Sequence, residues 1–283
     1  MAGTLYLCAT PIGNLEDITL RALRILKEVD LIAAEDTRNS IKLLNHFEIH
    51  TPMTSYHEHN KIEKAAVLIR KMREGQNIAL ITDAGTPGIS DPGEELVAMC
   101  YEEGIEVTSL PGASAALTAL TLSGLPTRRF AFEAFLPEDK KKRRVVLEEL
   151  GKESRTVIIY EAPHHLGALL AELSEVFGED RRVSVCRELT KKHEAVWRTT
   201  FKEASARYLE ERPRGECVLV IEGRSFKELE LEKREAWESM DLEAHMAYYE
   251  KTGIERKEAM KLVARDRGVS KRDIYRELLD KQS

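Results

Sequence analysis

The first 125 residues repeat one pattern: an apolar run, a loop of Gly, Pro, Asp and Thr, then apolar residues at helical spacing. Strands are expected at residues 4–9, 30–34, 77–82 and 105–110, and helices at 18–28, 39–47, 62–74, 94–103 and 115–122. Strand, loop and helix in repetition build a parallel sheet covered on both faces. In such a sheet every loop that follows a strand leaves by the same edge, and open α/β sheets bind ligands there. Four separated segments (residues 10–17, 35–39, 83–93 and 111–114) are therefore expected to meet in one cleft.

Ser123-Gly124-Leu125-Pro126-Thr127 interrupts the pattern and marks the expected end of a first α/β domain, residues 1–124. A second α/β domain is expected over 125–225, with strands at 130–134, 156–160, 182–187, 195–201 and 217–222 and helices at 140–150, 165–176 and 202–211. From residue 226 to 283 strand signals vanish, and a charged helical tail is expected, with helices at 240–250, 256–267 and 270–281. Ser270 is placed to cap the last of these and Gly268 to stop the one before it.

Composition removes several classes. No apolar run approaches the roughly 20 residues that a membrane-spanning helix needs. The start Met1-Ala2-Gly3-Thr4 has neither the basic residues nor the apolar stretch of a signal peptide. Cys8, Cys100, Cys186 and Cys217 are far apart and form no Cys-x-x-Cys, so reduced thiols are expected and no zinc site. The net charge of −6 argues against a generic nucleic-acid coat.

The richest segment is Asp83-Ala84-Gly85-Thr86-Pro87-Gly88-Ile89-Ser90-Asp91-Pro92-Gly93. Its glycines and prolines stiffen and contort the backbone, and no side chain at a glycine blocks close approach of a ligand. Eleven residues also exceed the about 2–6 that a plain strand–helix connection needs. Pro111-Gly112-Ala113-Ser114-Ala115 opens a helix with small residues, leaving N–H groups for an anion or a polar ligand edge, or only for capping by Ser114. Glu35-Asp36-Thr37-Arg38 places two carboxylates and a guanidinium at a strand end, as a working site or as a helix cap with an ion pair. Neither a dinucleotide fingerprint nor a P-loop occurs. His57-Glu58-His59 and His164-His165 have no third ligand that would complete a metal site.

In order and spacing, Thr10-Pro11-Ile12-Gly13-Asn14-Leu15, Glu35-Asp36-Thr37-Arg38, His57-Glu58-His59-Asn60, residues 83–93, residues 110–115, Glu161-Ala162-Pro163-His164, Arg187-Glu188-Leu189-Thr190-Lys191 and Gly215-Glu216 resemble the tetrapyrrole methylase superfamily. Within it they resemble the branch acting on small-subunit ribosomal RNA, and the likeness spans nearly the whole chain. The resemblance implies two α/β domains with S-adenosylmethionine between them. It implies a cytoplasmic homodimer that methylates the ribose 2′-hydroxyl of a cytidine in the decoding region of 16S rRNA, presented in the small ribosomal subunit. It places the cofactor on Pro11, Asp83, Gly85, Thr86, Pro87, Gly88, Ile89, Ser114 and Ala115, on Tyr160, Glu161 and Ala162, and near Gly215. Pro163-His164-His165 departs from the family's Pro-His-Arg.

A ribose hydroxyl is a poor nucleophile, so a general base should assist, and loop position makes Asp36 the candidate, with Arg38 orienting it or holding substrate. An acidic protein that binds RNA needs local basic surfaces. One is Lys140-Lys141-Lys142-Arg143-Arg144, close in sequence to Arg128-Arg129. The other is the tail, where Lys251 to Arg276 holds nine basic and four acidic residues in a helix-turn-helix-like pattern. That tail suits phosphates or an internal clamp. Two other readings stay open: a methylase of a tetrapyrrole intermediate, and a non-enzymatic RNA-binding assembly factor.

Overall fold

The computed structural model of the chain describes residues 2–211 and 213–280. It divides into two compact units, one of Met1–Leu150 with Arg155–Glu222 and one of Gly151–Ser154 with Gly223–Ser283.

The first unit holds two five-stranded sheets. Strands β1 (Thr4–Cys8), β2 (Leu31–Ala34), β3 (Met53–Ser55), β4 (Ile78–Ile81) and β5 (Glu106–Leu110) form the first, in the order β3-β2-β4-β1-β5. All its pairings are parallel, with Leu5 opposite Ile78 and Val107. Every residue of β4 is buried. Ile78 and Leu80 face one core with helices α3 (Lys61–Arg73) and α4 (Gly93–Glu102). Ala79 and Ile81 face the other, with α1 (Leu20–Glu28) and α2 (Thr37–His46). A strand covered on both faces reads as a continuous apolar run, which is how 77–82 reads. The parallel α/β expectation therefore holds, while β3, three half-buried residues at the sheet edge, carries too little pattern to be expected.

Helix α5 (Ala115–Ser123) ends at Gly124, whose φ of +72° suits a residue without a Cβ. Although it follows the first sheet in sequence, Ala116, Ala119 and Leu120 pack on the second sheet against Ile158, Val218 and Val220. That sheet comprises β6 (Phe130–Ala134), β7 (Thr156–Glu161), β8 (Arg182–Arg187), β9 (Ala195–Thr200) and β10 (Cys217–Ile221), in the order β6-β7-β10-β8-β9. Only β6 and β7 pair in parallel; the other three pairings are antiparallel. Its far face is covered by α6 (Lys140–Leu150), α7 (Leu166–Phe177) and α8 (Phe201–Glu210). Thus α5 and α6–α8 sandwich the sheet.

The second unit contains α9 (Phe226–Ser239), α10 (Leu242–Glu250), α11 (Arg256–Asp266) and α12 (Lys271–Asp280). Leu242, Met246, Ala259, Val263, Ile274 and Leu278 form its core. The three expected helices are present, preceded by a fourth, α9; the expected extension of the last to Lys281 lies outside the described residues. Ser270 caps α12 as expected: its hydroxyl accepts from Asp273 N–H at 3.2 Å while Asp273 returns a carboxylate to Ser270 N–H at 3.1 Å. No helix among the described residues is long and apolar enough to cross a membrane.

Candidate functional site

The four loops at the carboxyl edge of the first sheet are tied to one another by hydrogen bonds. Thr10 and Gly85 exchange backbone bonds at 2.9 and 3.0 Å, joining the loop after β1 to the loop after β4. Thr10 Oγ1 donates to Thr82 O at 3.1 Å. The loop after β2 is attached through Asp83: its N–H donates to Glu35 Oε2, and its carboxylate accepts from Asp36 N–H and Asn39 Nδ2 at 3.3 and 3.1 Å. Thr86 Oγ1 donates to Ala113 O at 3.0 Å and brings in the loop after β5. The second sheet joins through Tyr160, whose hydroxyl accepts from Ala116 N–H in the first turn of α5 at 3.0 Å.

Between these groups lies a cavity of about 380 Å³, a size usual for small-molecule sites. Of the expected cofactor residues, Asp83, Gly85, Thr86, Ile89, Ser114, Ala115, Tyr160, Glu161 and Ala162 line it. Pro11, Pro87 and Gly88 stand in the same loops but are not part of its wall. Asp36 and Arg38 are also outside the wall, at the rim beside Asp83. Near Gly215 it is Glu216, Cys217 and Val218 that face the cavity. Ile12, from the Thr10–Leu15 motif, and Phe135, with no motif of its own, also line the wall.

Asp91 shapes the 83–93 loop. Its carboxylate accepts from Gly88, Ile89 and Gly93 N–H at 2.9, 3.0 and 2.8 Å. This lets Ser90 sit at a left-handed φ of +66°, uncommon for a residue with a Cβ. A Cβ on Gly93 would lie 2.7 Å from Asp91 Oδ1 and 2.9 Å from Gly88 N, so glycine is required there by space. Ser114 caps no N–H group of α5 with its side chain. The Ser114 hydroxyl thus remains available to a polar ligand edge, while Ala116 N–H of the first turn is already taken by Tyr160.

Asp36 and Glu35 are adjacent in sequence and opposite in electrostatics. Asp36 caps α2, accepting from Arg38 N–H at 2.8 Å, and is held by the Arg38 guanidinium at 3.1 and 2.7 Å. Those bonds push its pKa down to about 2, which makes it a poor proton acceptor. Glu35 lines the cavity, and burial, with Asp83, Asp91 and Asp36 nearby, raises its pKa despite the bond from Asp83 N–H. Cys217 is a thiol, not a thiolate, because burial pushes its pKa up to about 12.

Glu35, Asp83, Asp91, Glu161 and Glu216 line the cavity together with Ser114 and Ala115 at the start of α5, a set that suits a ligand with a cationic centre and polar ends. Among the described residues no group of three or more His, Cys, Asp or Glu is placed to hold a metal ion. His57 is engaged locally with Asn60, at 3.2 Å, and does not line the cavity.

The family model described as Tetrapyrrole (Corrin/Porphyrin) Methylases matches residues 4–205. The chain is 53 % identical over 274 residues to a protein of Halalkalibacterium halodurans named ribosomal RNA small subunit methyltransferase I, covering 96 % of this chain and 93 % of that one. It is 48 % identical over 273 residues to the Bacillus subtilis protein of the same name, with coverage of 96 % and 93 %. A Thermus thermophilus uroporphyrin-III C-methyltransferase crystallised with S-adenyl homocysteine shares the fold, with a TM-score of 0.55 at 21 % identity over 78 % of this chain and 97 % of that one.

Proposed function

This chain belongs to the tetrapyrrole (corrin/porphyrin) methylase family, in the group of ribosomal RNA small subunit methyltransferases I, and on that premise we propose that it methylates 16S ribosomal RNA using S-adenosylmethionine. The acceptor is the ribose 2′-hydroxyl of a cytidine in the decoding region, presented in the small ribosomal subunit, and the protein acts as a homodimer in the cytoplasm. The observation that carries the reading is the acid-walled cavity where the carboxyl-edge loops of the first sheet meet Tyr160–Ala162 of the second.

The cofactor is held by the 83–93 loop, Ser114 and Ala115, and by Tyr160, Glu161 and Ala162, with Pro11, Pro87 and Gly88 setting the loops behind them. Bound S-adenosylmethionine supplies a methyl group already activated by its sulfonium. The protein then has to align the acceptor oxygen with that methyl group and exclude water, and positioning of this kind lowers a barrier substantially. Methylation of the acceptor hydroxyl would release its proton. Glu35 takes it: it faces the cavity, and its raised proton affinity suits a general base better than the ordinary carboxylate range. Asp36 locks Arg38 at the rim, where the guanidinium, its side chain 88 % exposed, positions the RNA.

The relatives near 50 % identity carry the ribosomal RNA name, whereas the porphyrin methylase above matches at 21 %; that favours RNA over a macrocycle as substrate. The test is incubation with labelled S-adenosylmethionine and small subunits lacking their modifications, followed by digestion and mass spectrometry. Label on a cytidine ribose is expected. Label on a base discards the 2′-hydroxyl mechanism, and no label with the cofactor bound discards the RNA substrate.

A further inference from the structure

β6 does not end regularly. Its register with β7 shifts between Phe132 and Ala134, and Ala134 adopts a left-handed φ of +51°. A bulge of this kind re-aims the side chain that follows, and a left-handed alanine is retained only where surrounding structure enforces it. The side chain re-aimed is Phe135, which lines the cavity mouth yet is 58 % exposed. It stands edge-on to Tyr160, with centroids 5.6 Å apart, and Tyr160 is itself braced by Phe132 at 5.0 Å. Phe135 is thus anchored on one side while much of its surface stays open.

Lys140 follows Phe135 by five residues and begins α6. Lys140, Lys141 and Lys142 are all exposed, and the first turn contains no acidic residue. The N-terminus of a helix carries partial positive charge, so three cations there oppose the helix dipole, offset only in part by Asp139, whose carboxylate accepts from Lys142 N–H at 3.0 Å. Arg143 pairs with Glu172 and Arg144 with Glu148, but among the described residues no carboxylate pairs with the three lysines. Arg128 and Arg129 precede β6 and so stand at the opposite end of that strand from these lysines. A cost in local stability kept beside an open aromatic ring is a mark of binding rather than of folding.

We propose that Phe135 and the first turn of α6 form the RNA-docking face of the cavity, an inference that rests on the methyltransferase reading above. Phe135 stacks on an unpaired base, and Lys140, Lys141 and Lys142 hold the flanking phosphates. Aromatic rings stack on bases of single strands or splayed loops, since a base within a duplex offers no free face. The positive charge of the turn complements the phosphates in a protein whose net charge is −6.

The test compares wild type, Phe135→Ala, Phe135→Trp and the triple variant Lys140→Gln, Lys141→Gln, Lys142→Gln. It uses unmethylated small subunits for kinetics and calorimetry for S-adenosylmethionine binding. Phe135→Ala is expected to lower kcat/KM for the subunit roughly tenfold or more, the loss of one stacked base. Its cofactor affinity should fall by less than its kcat/KM, because Phe135 meets the cavity only at the mouth, and Phe135→Trp should restore the rate. The triple variant should fold at least as stably as wild type and reduce the slope of log KM against log salt by about two. Wild-type kcat/KM in Phe135→Ala, an unchanged salt slope in the triple variant, or equal losses of cofactor affinity and kcat/KM in Phe135→Ala would each overturn the proposal. A wild-type protein that methylates no subunit overturns the underlying reading as well, and that outcome is distinct because it shows before any variant is compared.

Discussion

Replacing Glu35 by Gln separates the roles of the two neighbouring carboxylates at the end of β2. The substitution keeps the size of the side chain and its acceptor for Asp83 N–H, a bond of 3.3 Å, so the loop cluster should hold. What is lost is the proton acceptor. Loss of a general base lowers turnover by about 100- to 10,000-fold, about 3–5 kcal/mol of barrier. The assay is kcat at saturating S-adenosylmethionine and subunits, repeated across pH. Wild-type activity should fall on the acid side as Glu35 is protonated, at a pH above the ordinary Glu value of about 4.3, because burial and the nearby Asp83, Asp91 and Asp36 carboxylates raise it. The glutamine variant should show no such limb. Stability should move the opposite way. A carboxyl group with a raised folded pKa binds more protons folded than unfolded, so its contribution is present below the unfolded pKa and is lost as pH rises through the folded one. Glu35→Gln should therefore raise the thermal midpoint at neutral pH, with the gain vanishing toward about pH 4. A glutamine variant with turnover within about threefold of wild type, against the fall expected for a lost base, would refute the assignment. Asp36→Asn supplies the comparison: Asn caps a helix as well as Asp, and a group whose pKa is about 2 stays ionised through the assay. A larger loss in Asp36→Asn than in Glu35→Gln would return the base to Asp36.

Three further outcomes are expected. Tyr160→Phe leaves Ala116 N–H without its acceptor, and chemical denaturation should show a loss of about 1–3 kcal/mol; an unchanged midpoint would mean that the bond contributes nothing to joining α5 to the second sheet. In Gly167→Ala the new Cβ would lie 2.5 Å from Tyr208 O on α8. The overpacking cost of about 1–3 kcal/mol should outweigh the helix-propensity gain of at most about 1 kcal/mol, and a more stable variant would contradict this. In the second unit His245 is fully buried, stacked on Trp237 at 4.1 Å and accepting from Arg267 Nε at Nδ1. Burial, with Arg267 adding to it, lowers the His245 pKa. The unfolded chain then binds the proton more readily, so stability is lost as pH falls below the unfolded value of about 6.5. Amide protection factors in α10–α12, which allow for the slower intrinsic exchange at lower pH, should fall on acidification in that range in wild type and much less in His245→Phe.

The alternation of strands and helices is legible in sequence because each period depends on near neighbours: β4 reads as a strand from its own four residues. The meeting of the four loops follows from that reading, since a parallel sheet leaves no other edge for them. The antiparallel pairing of β8, β9 and β10 is not legible in this way, because an apolar run has no direction until it finds a partner. Nor is the attachment of α5 to the second sheet, since an apolar helix does not record which surface covers it.

The residues of the site divide along the same line. The 83–93 loop announces itself by glycines and prolines whose conformational effect is local. Glu35 and Asp36 are both carboxylates at one strand end in the linear chain; burial at the first, beside Asp83 of the loop after β4, and Arg38 at the second separate their proton affinities. Phe135 has no motif, because its exposure depends on a bulge defined only against β7. Sequence by itself determined the elements, the edge where they meet and the family, since those are written in neighbouring residues and their order. Tertiary structure decided which carboxylate has the raised proton affinity and which ring stays open, since both depend on groups brought together from distant parts of the chain.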